Sequence, residues 1–105
     1  MESRFIITKK IAKHGNQSVI IIPRILESEL SPSTIVKITI DVLNAENAEE
    51  KNYVITKKIA KHGSQSIIII PKILENELKF GTVVQLAIEV LKREDELWLT
   101  KDLSI

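Results

Sequence analysis

Six lysines and two histidines recur at a fixed spacing in this chain. The segment ITKKIAKHG stands at residues 7–15 and again, letter for letter, at residues 55–63. It places Lys9, Lys10, Lys13 and His14 in one copy and Lys57, Lys58, Lys61 and His62 in the other. Lysines bind phosphate as flexible point charges, and neutralising phosphates releases counterions, which gives affinity without reading sequence. The alternative is a solvated strand edge, where lysine discourages aggregation. The distribution of charge favours the first reading. Residues 3–26 contain Arg4, Lys9, Lys10, Lys13 and Arg24 and no acid; residues 51–74 contain Lys51, Lys57, Lys58, Lys61 and Lys72 and no acid. These segments carry +10 and the remainder −9, behind a net charge of +1. Charge sorted in this way inside a near-neutral chain points to a polyanionic partner.

Other residues extend the candidate set. Arg24 and Lys72 each follow a proline, where they can reach phosphate or pair with Glu27 or Glu75; the sequence supports both equally. Asn16, Gln17 and Gln65 have amides able to pair with adenine edges, although Asn16 also suits a turn. His14 and His62 come without cysteine or a neighbouring acid and form no metal set. A phosphate contact by the protonated imidazole or a plain turn role remains for them. Phosphate-cradling glycine loops, nucleophile signatures and paired acids on a recognisable scaffold are absent, so neither an enzyme nor a cofactor is expected. The Asn16-Gln17-Ser18 sequon lacks a secretory signal to make it meaningful. Trp98 reads as a packing residue, since 4% aromatics cannot build a stacking platform for single strands.

The elements that must carry these residues come from a duplication. At an offset of 48, residues 5–46 and 53–94 align without a gap, with about 26 of 42 positions identical. Each unit reads strand, strand, short helix, strand. Residues 5–13 are rich in β-branched and aromatic side chains, and HGNQ or HGSQ then supplies a turn. Because Lys9 and Lys13 share a parity with Phe5, Ile7 and Ile11, a bend or bulge is expected there. Residues 19–22 and 67–70 are unbroken apolar runs, suited to a strand covered on both faces. Pro23 and Pro71 then open a predicted helix of about two turns, with Ile25, Leu26 and Leu30, or Ile73, Leu74 and Leu78, at helical spacing. Residues 35–42 alternate, sending Val36, Ile38, Ile40 and Val42 inward, and residues 83–90 do the same with Val84, Leu86, Ile88 and Val90. The polar stretch 44–52 is a linker or loop. KNYVITKK at 51–58 resembles DELWLTKD at 95–102, so residues 53–56 can serve both units while residues 97–100 close the second.

The composition sets the class. With 44% hydrophobic and 28% charged residues the chain is globular, and zero cysteines rule out disulfides and the usual zinc ribbon. No apolar run approaches the ~20 residues of a membrane span, and a cytoplasmic location is expected. High isoleucine, lysine and glutamate usage resembles that of thermophiles.

The order Lys13-His14-Gly15-Asn16, Ile22-Pro23-Arg24, Leu30, Val36-Lys37-Ile38, with Lys61-His62-Gly63-Ser64, Ile70-Pro71-Lys72, Leu78 and the 79–84 stretch KFGTVV, resembles the AbrB/SpoVT/MazE family of swapped-hairpin DNA-binding proteins. The resemblance covers nearly the whole chain. It implies a mainly β fold with short helices, in which two ββαβ units interleave into a swapped-hairpin β-barrel. Here both units, residues 1–46 and 53–105 joined by a linker at 47–52, would form an intrachain pseudo-dimer, with a homodimer of chains as a further level. It implies double-stranded DNA as partner, with transcription regulation or a low-specificity architectural coating of DNA as role; with the charge pattern it gives Lys9, Lys10, Lys13, His14, Asn16 and Arg24 with Lys57, Lys58, Lys61, His62 and Lys72 as the expected contacts. Three departures stand out. Ala12-Lys13-His14 stands before the glycine where MazE-type units have a basic pair and an aromatic, so one cation is lost and histidine replaces the aromatic. Ile21 and Ile69 occupy a position where the family often carries arginine, and unit one has Ser31-Pro32-Ser33 where unit two has Lys79-Phe80-Gly81. An antitoxin-like module that neutralises a toxin partner is the rival from another class, weakened by the short stretch after Trp98. A structural oligomerisation module would leave the acid-free segments without explanation.

Overall fold

Alternation of inward and outward side chains organises the chain, and a computed structural model describes residues 4–43 and 51–93. The strands are β1 (Arg4–Lys10), β2 (Ala12–His14), β3 (Gln17–Ile21), β4 (Ile35–Val42), β5 (Asn52–Lys58), β6 (Ala60–His62), β7 (Gln65–Ile69) and β8 (Val83–Lys92). They form two antiparallel four-stranded sheets, ordered β1-β8-β4-β5 and β2-β3-β7-β6. The linker ends sooner than its composition suggests: Asn52 already pairs with Asp41, and Val42 N–H donates to Lys51 O at 3.0 Å.

Pairing follows the duplication. In the first sheet Ile38 faces Ile88 and Ile40 faces Leu86, which are the same pair exchanged between repeats, so Thr39 and its counterpart Ala87 meet on a pseudo-twofold axis. In the second sheet Ile20 meets its own counterpart, Ile68. As expected for a last strand of unit one, β5 pairs with β4. The matching place beside β8, where residues 97–100 were expected, is instead filled by β1, with Ile7 opposite Leu86; residues 97–100 themselves lie outside the described residues.

The core lies between the sheets. Val36, Ile38, Ile40, Val84, Leu86 and Ile88 meet Ile20, Ile22, Ile68 and Ile70, joined by Ile11, Ile59, Leu30 and Leu78, all at most 2% exposed. Val42 and Val90 pack at its margin. Both faces of β3 and β7 are covered, which their unbroken apolar runs require.

A bend does interrupt the lysine-rich strand. It falls at Ile11, where the chain leaves one sheet for the other and buries that side chain. The backbone stays satisfied: Ile11 N–H donates to Thr82 O at 2.8 Å, and Gly81 N–H donates to Ile11 O at 2.7 Å. Ile59, Thr34 and Ser33 repeat the arrangement. Gly81 has φ +90°, and Ser33, in the equivalent place, has φ 78°. A serine there carries the steric cost of a left-handed backbone that glycine avoids.

The expected two-turn helix is not formed. Each proline is followed by a single 3-10 turn, Arg24–Leu26 or Lys72–Leu74. Pro23 is extended (φ −58°, ψ 142°), and Leu26 and Glu27 donate to carbonyls three residues back, at 2.9 and 3.1 Å. Only Leu30 bonds four residues back, to Leu26. So short a segment lacks the length for a stable α-helix, and its winding buries Leu30 while leaving Ile25 87% exposed.

Ile20→Ala, which opens a cavity on the pseudo-axis, is expected to cost about 2–5 kcal/mol, whereas Ile25→Ala stays within about 0.5 kcal/mol; urea denaturation separates the two. Ser33→Gly is expected to stabilise by about 0.5–1 kcal/mol, the relieved strain exceeding the added unfolded-state entropy, and Gly81→Ser to destabilise, both read as shifts in the denaturation midpoint.

Candidate nucleic-acid interface

The two hairpins carry the densest set of candidate residues. Each is β2–β3 or β6–β7 closed by a turn at Gly15 or Gly63, whose φ of +60° or +62° suits glycine. Lys13 and Lys61 are exposed at the centres of β2 and β6, opposite Ser18 and Ser66. Asn16, Gln17 and Gln65 are exposed at the turns. His14 and His62 end the short strands, and their rings meet with centroids 4.4 Å apart, tilted by 42°. Because they are repeat equivalents, this contact also lies on the pseudo-axis. His14 Nδ1 is buried and has no hydrogen-bond partner among the described residues.

Each hairpin is completed by the other repeat. Ile70 N–H donates to Ser18 O and Ile22 N–H to Ser66 O, both at 2.9 Å, so Lys72 follows directly on a contact with the first hairpin and Arg24 on one with the second. Both cations are exposed, and among the described residues neither forms an ion pair with Glu27 or Glu75. Beside the first hairpin lies a cleft of about 250 Å³ bounded by Lys13, Asn16, Gln17, Asn76, Lys79 and Phe80. Lys13 Nζ sits 5.2 Å from the centre of the Phe80 ring, within cation–π range. Lys79, Phe80 and Asn76 are not among the contacts expected from the sequence, although Lys79-Phe80-Gly81 stands out there as a departure; their signal is the break in the repeat, where unit one has Ser31, Pro32 and Ser28.

The remaining lysines are not brought to the same place. Lys10 and Lys58 take the outward parity of the first sheet, the side turned away from the core, together with Ile6, Thr8, Val54 and Thr56. The middle of that face is the row Ile6–Ala87–Thr39–Val54. Lys9 and Lys57 take the inward parity and are half-buried opposite Val84 and Val36. Strand alternation thus divides the KKxxK pattern among three directions.

Of the acids near the hairpins, Glu75 borders the first cleft, while Glu29 and Glu77 are engaged elsewhere. Arg93 reaches Glu29 through Nη2–Oε2 at 3.4 Å and donates from Nη1 to Glu29 O at 2.9 Å. Lys51 Nζ lies 3.5 Å from Glu77 Oε2, and the Tyr53 hydroxyl donates to the same oxygen at 3.2 Å. Burial, then the Glu77 bond and its negative charge, raise the Tyr53 phenol above its ordinary value. Among the described residues no cluster of three or more His, Asp or Glu side chains could hold a metal, and no helix is long and apolar enough to cross a membrane.

No family model and no curated protein matches this chain. A solved structure does: the solution structure of PHS018 from Pyrococcus horikoshii is similar with a TM-score of 0.65 at 23% identity, over 90% of this chain and 99% of that one. The likeness is one of fold.

The chain holds one tyrosine, so tyrosinate absorbance in an alkaline titration reports Tyr53 alone. Its midpoint is expected above 10.0, and Glu77→Gln should lower it. Since the folded value is raised, this group's contribution to stability is complete below the unfolded value and is lost as pH rises through the folded one. A midpoint at or below 10.0 would contradict the assignment.

Proposed function

We propose that this protein binds double-stranded DNA, most simply as a transcription regulator, and that its two units form a swapped-hairpin barrel of the AbrB/SpoVT/MazE kind as an intrachain pseudo-dimer. The observation that carries the reading is the set of exposed cations on and beside the hairpins that form no ion pair among the described residues. Among the described residues, Lys13, Lys61, Arg24 and Lys72 are exposed without ion pairs, while Glu29 and Glu77 are held by Arg93 and Lys51. Cations left unpaired on one structural feature remain available to phosphates. The exchange of strands between repeats, β1 onto β8 and β5 onto β4, supports the swapped arrangement. The pseudo-twofold through His14 and His62 supports a duplex as the partner, since a duplex has an approximate twofold of its own.

In this reading Lys13 and Lys61, with Arg24 and Lys72, contact phosphates; His14 and His62 mark the centre; Asn16, Gln17 and Gln65 face base edges. Lys9 and Lys57 lie at the margin, and Lys10 and Lys58 contribute through the long-range field.

Fluorescence anisotropy of a labelled random duplex of about 25 base pairs, roughly two and a half helical turns, tests the reading. Affinity is expected to fall with salt with a log–log slope of about −4 to −8, near 0.9 per phosphate contact, and the double variant Lys13→Ala/Lys61→Ala to make it shallower by about 1.8. No binding at about 50 mM salt, where counterion release is strongly favourable, would sink the proposal. The exposed Ile25 and Ile73 would then direct the search to a protein partner.

A further inference from the structure

The repeats differ in chemistry where a hairpin meets the opposing loop. Beside the first hairpin stand Asn16, Asn76, Lys79 and Phe80; their counterparts at the other end are Ser64, Ser28, Ser31 and Pro32. Core positions change conservatively by comparison, as with Val19 and Ile67 or Ile38 and Leu86. The acid bordering the first cleft, Glu75, is matched by Glu27 and makes no difference between the ends. One end therefore has an additional cation, two carboxamides in place of hydroxyls, and an aromatic ring that is 60% exposed.

We infer that the two halves of the interface are unequal, and that the end formed by Lys13, Asn16, Gln17, Lys79 and Phe80 binds DNA more strongly than the end formed by Lys61, Ser64, Gln65, Ser31 and Pro32. The protein then lies on a duplex with a defined polarity, and its preferred sites have unequal halves. This rests on the DNA-binding reading and specifies it. Lys79 supplies one more phosphate contact. Asn16 and Asn76 have the bidentate amide that pairs with adenine, which serine lacks, and Phe80 offers an apolar face for a thymine methyl. Lys13 over the ring at 5.2 Å joins the electrostatic and apolar parts into one surface. Two identical chains could not achieve this, because each substitution would appear at both ends.

The test measures random-duplex anisotropy at about 50 and 200 mM salt, a range over which one phosphate contact is worth about three- to fourfold in affinity, for single variants whose melting temperatures match the parent. Lys13→Ala is expected to weaken binding by a larger factor than Lys61→Ala. Lys79→Ser should bring a deficit that shrinks about three- to fourfold between the two salts, whereas the deficit of Phe80→Ala, which removes no charge, should stay constant. Equal losses for Lys13→Ala and Lys61→Ala, or parent-like binding by Lys79→Ser and Phe80→Ala, would overturn the inequality and leave DNA binding standing. Failure of the parent protein to bind overturns both.

Discussion

Every ladder in the two sheets, apart from the two hairpins, joins one repeat to the other: β1 to β8, β5 to β4, β4 to β8 and β3 to β7. A single unit would retain a three-residue strand paired in its hairpin and little more, and an isolated hairpin is marginal in water. The core depends on the same exchange, because Ile20 and Ile68 meet on the pseudo-axis and Ile38, Ile40, Leu86 and Ile88 surround it on the facing sheet. Covalent joining makes this exchange independent of protein concentration, at the modest loop-closure cost of a short connection.

The same constraint positions the hairpins. Since β3 and β7 must pair with each other, the hairpins extending from them are held against the opposite repeat, where Ser18 and Ser66 accept backbone bonds. Lys13 thereby reaches Phe80, a residue 67 positions away. Burial of Ile11 and Ile59 fixes where each chain segment crosses between sheets, and that crossing aims Lys13 and Lys61 differently from Lys10 and Lys58.

Much of this was legible in the sequence, because the strands are read from periodicity and periodicity is local. The alternation of residues 35–42 and the two-sided burial of residues 19–22 both appear in the structure. The segment after Pro23 was misread because Ile25, Leu26 and Leu30 fit a helical spacing that a 3-10 turn also tolerates over so short a span. Interrepeat pairing and the His14–His62 contact are long-range facts, invisible to a window along one unit. The duplication implied that equivalent residues are related by symmetry; which of them meet on the axis depends on register. Lys9 and Lys10 were grouped with Lys13 by composition, and strand parity separates them.

A duplicated chain imposes different demands on its interior and its surface. Across the pseudo-axis a side chain packs against the equivalent of its own neighbour, so a volume change in one repeat must be absorbed by the other, and only exchanges such as valine for isoleucine or isoleucine for leucine are cheap. Surface loops meet no such requirement. Position 81 illustrates the boundary: glycine and Ser33 hold nearly the same backbone conformation, so the fold tolerates strain in one repeat while keeping the geometry common to both. Two residues earlier, Lys79 and Ser31 differ by a full charge while the same backbone path is retained, with Thr82 and Thr34 donating to Lys79 and Ser31 at 3.1 Å alike. The pairing of the repeats thus fixes where the two ends of the surface stand, and leaves the chemistry displayed at each end independent of the other.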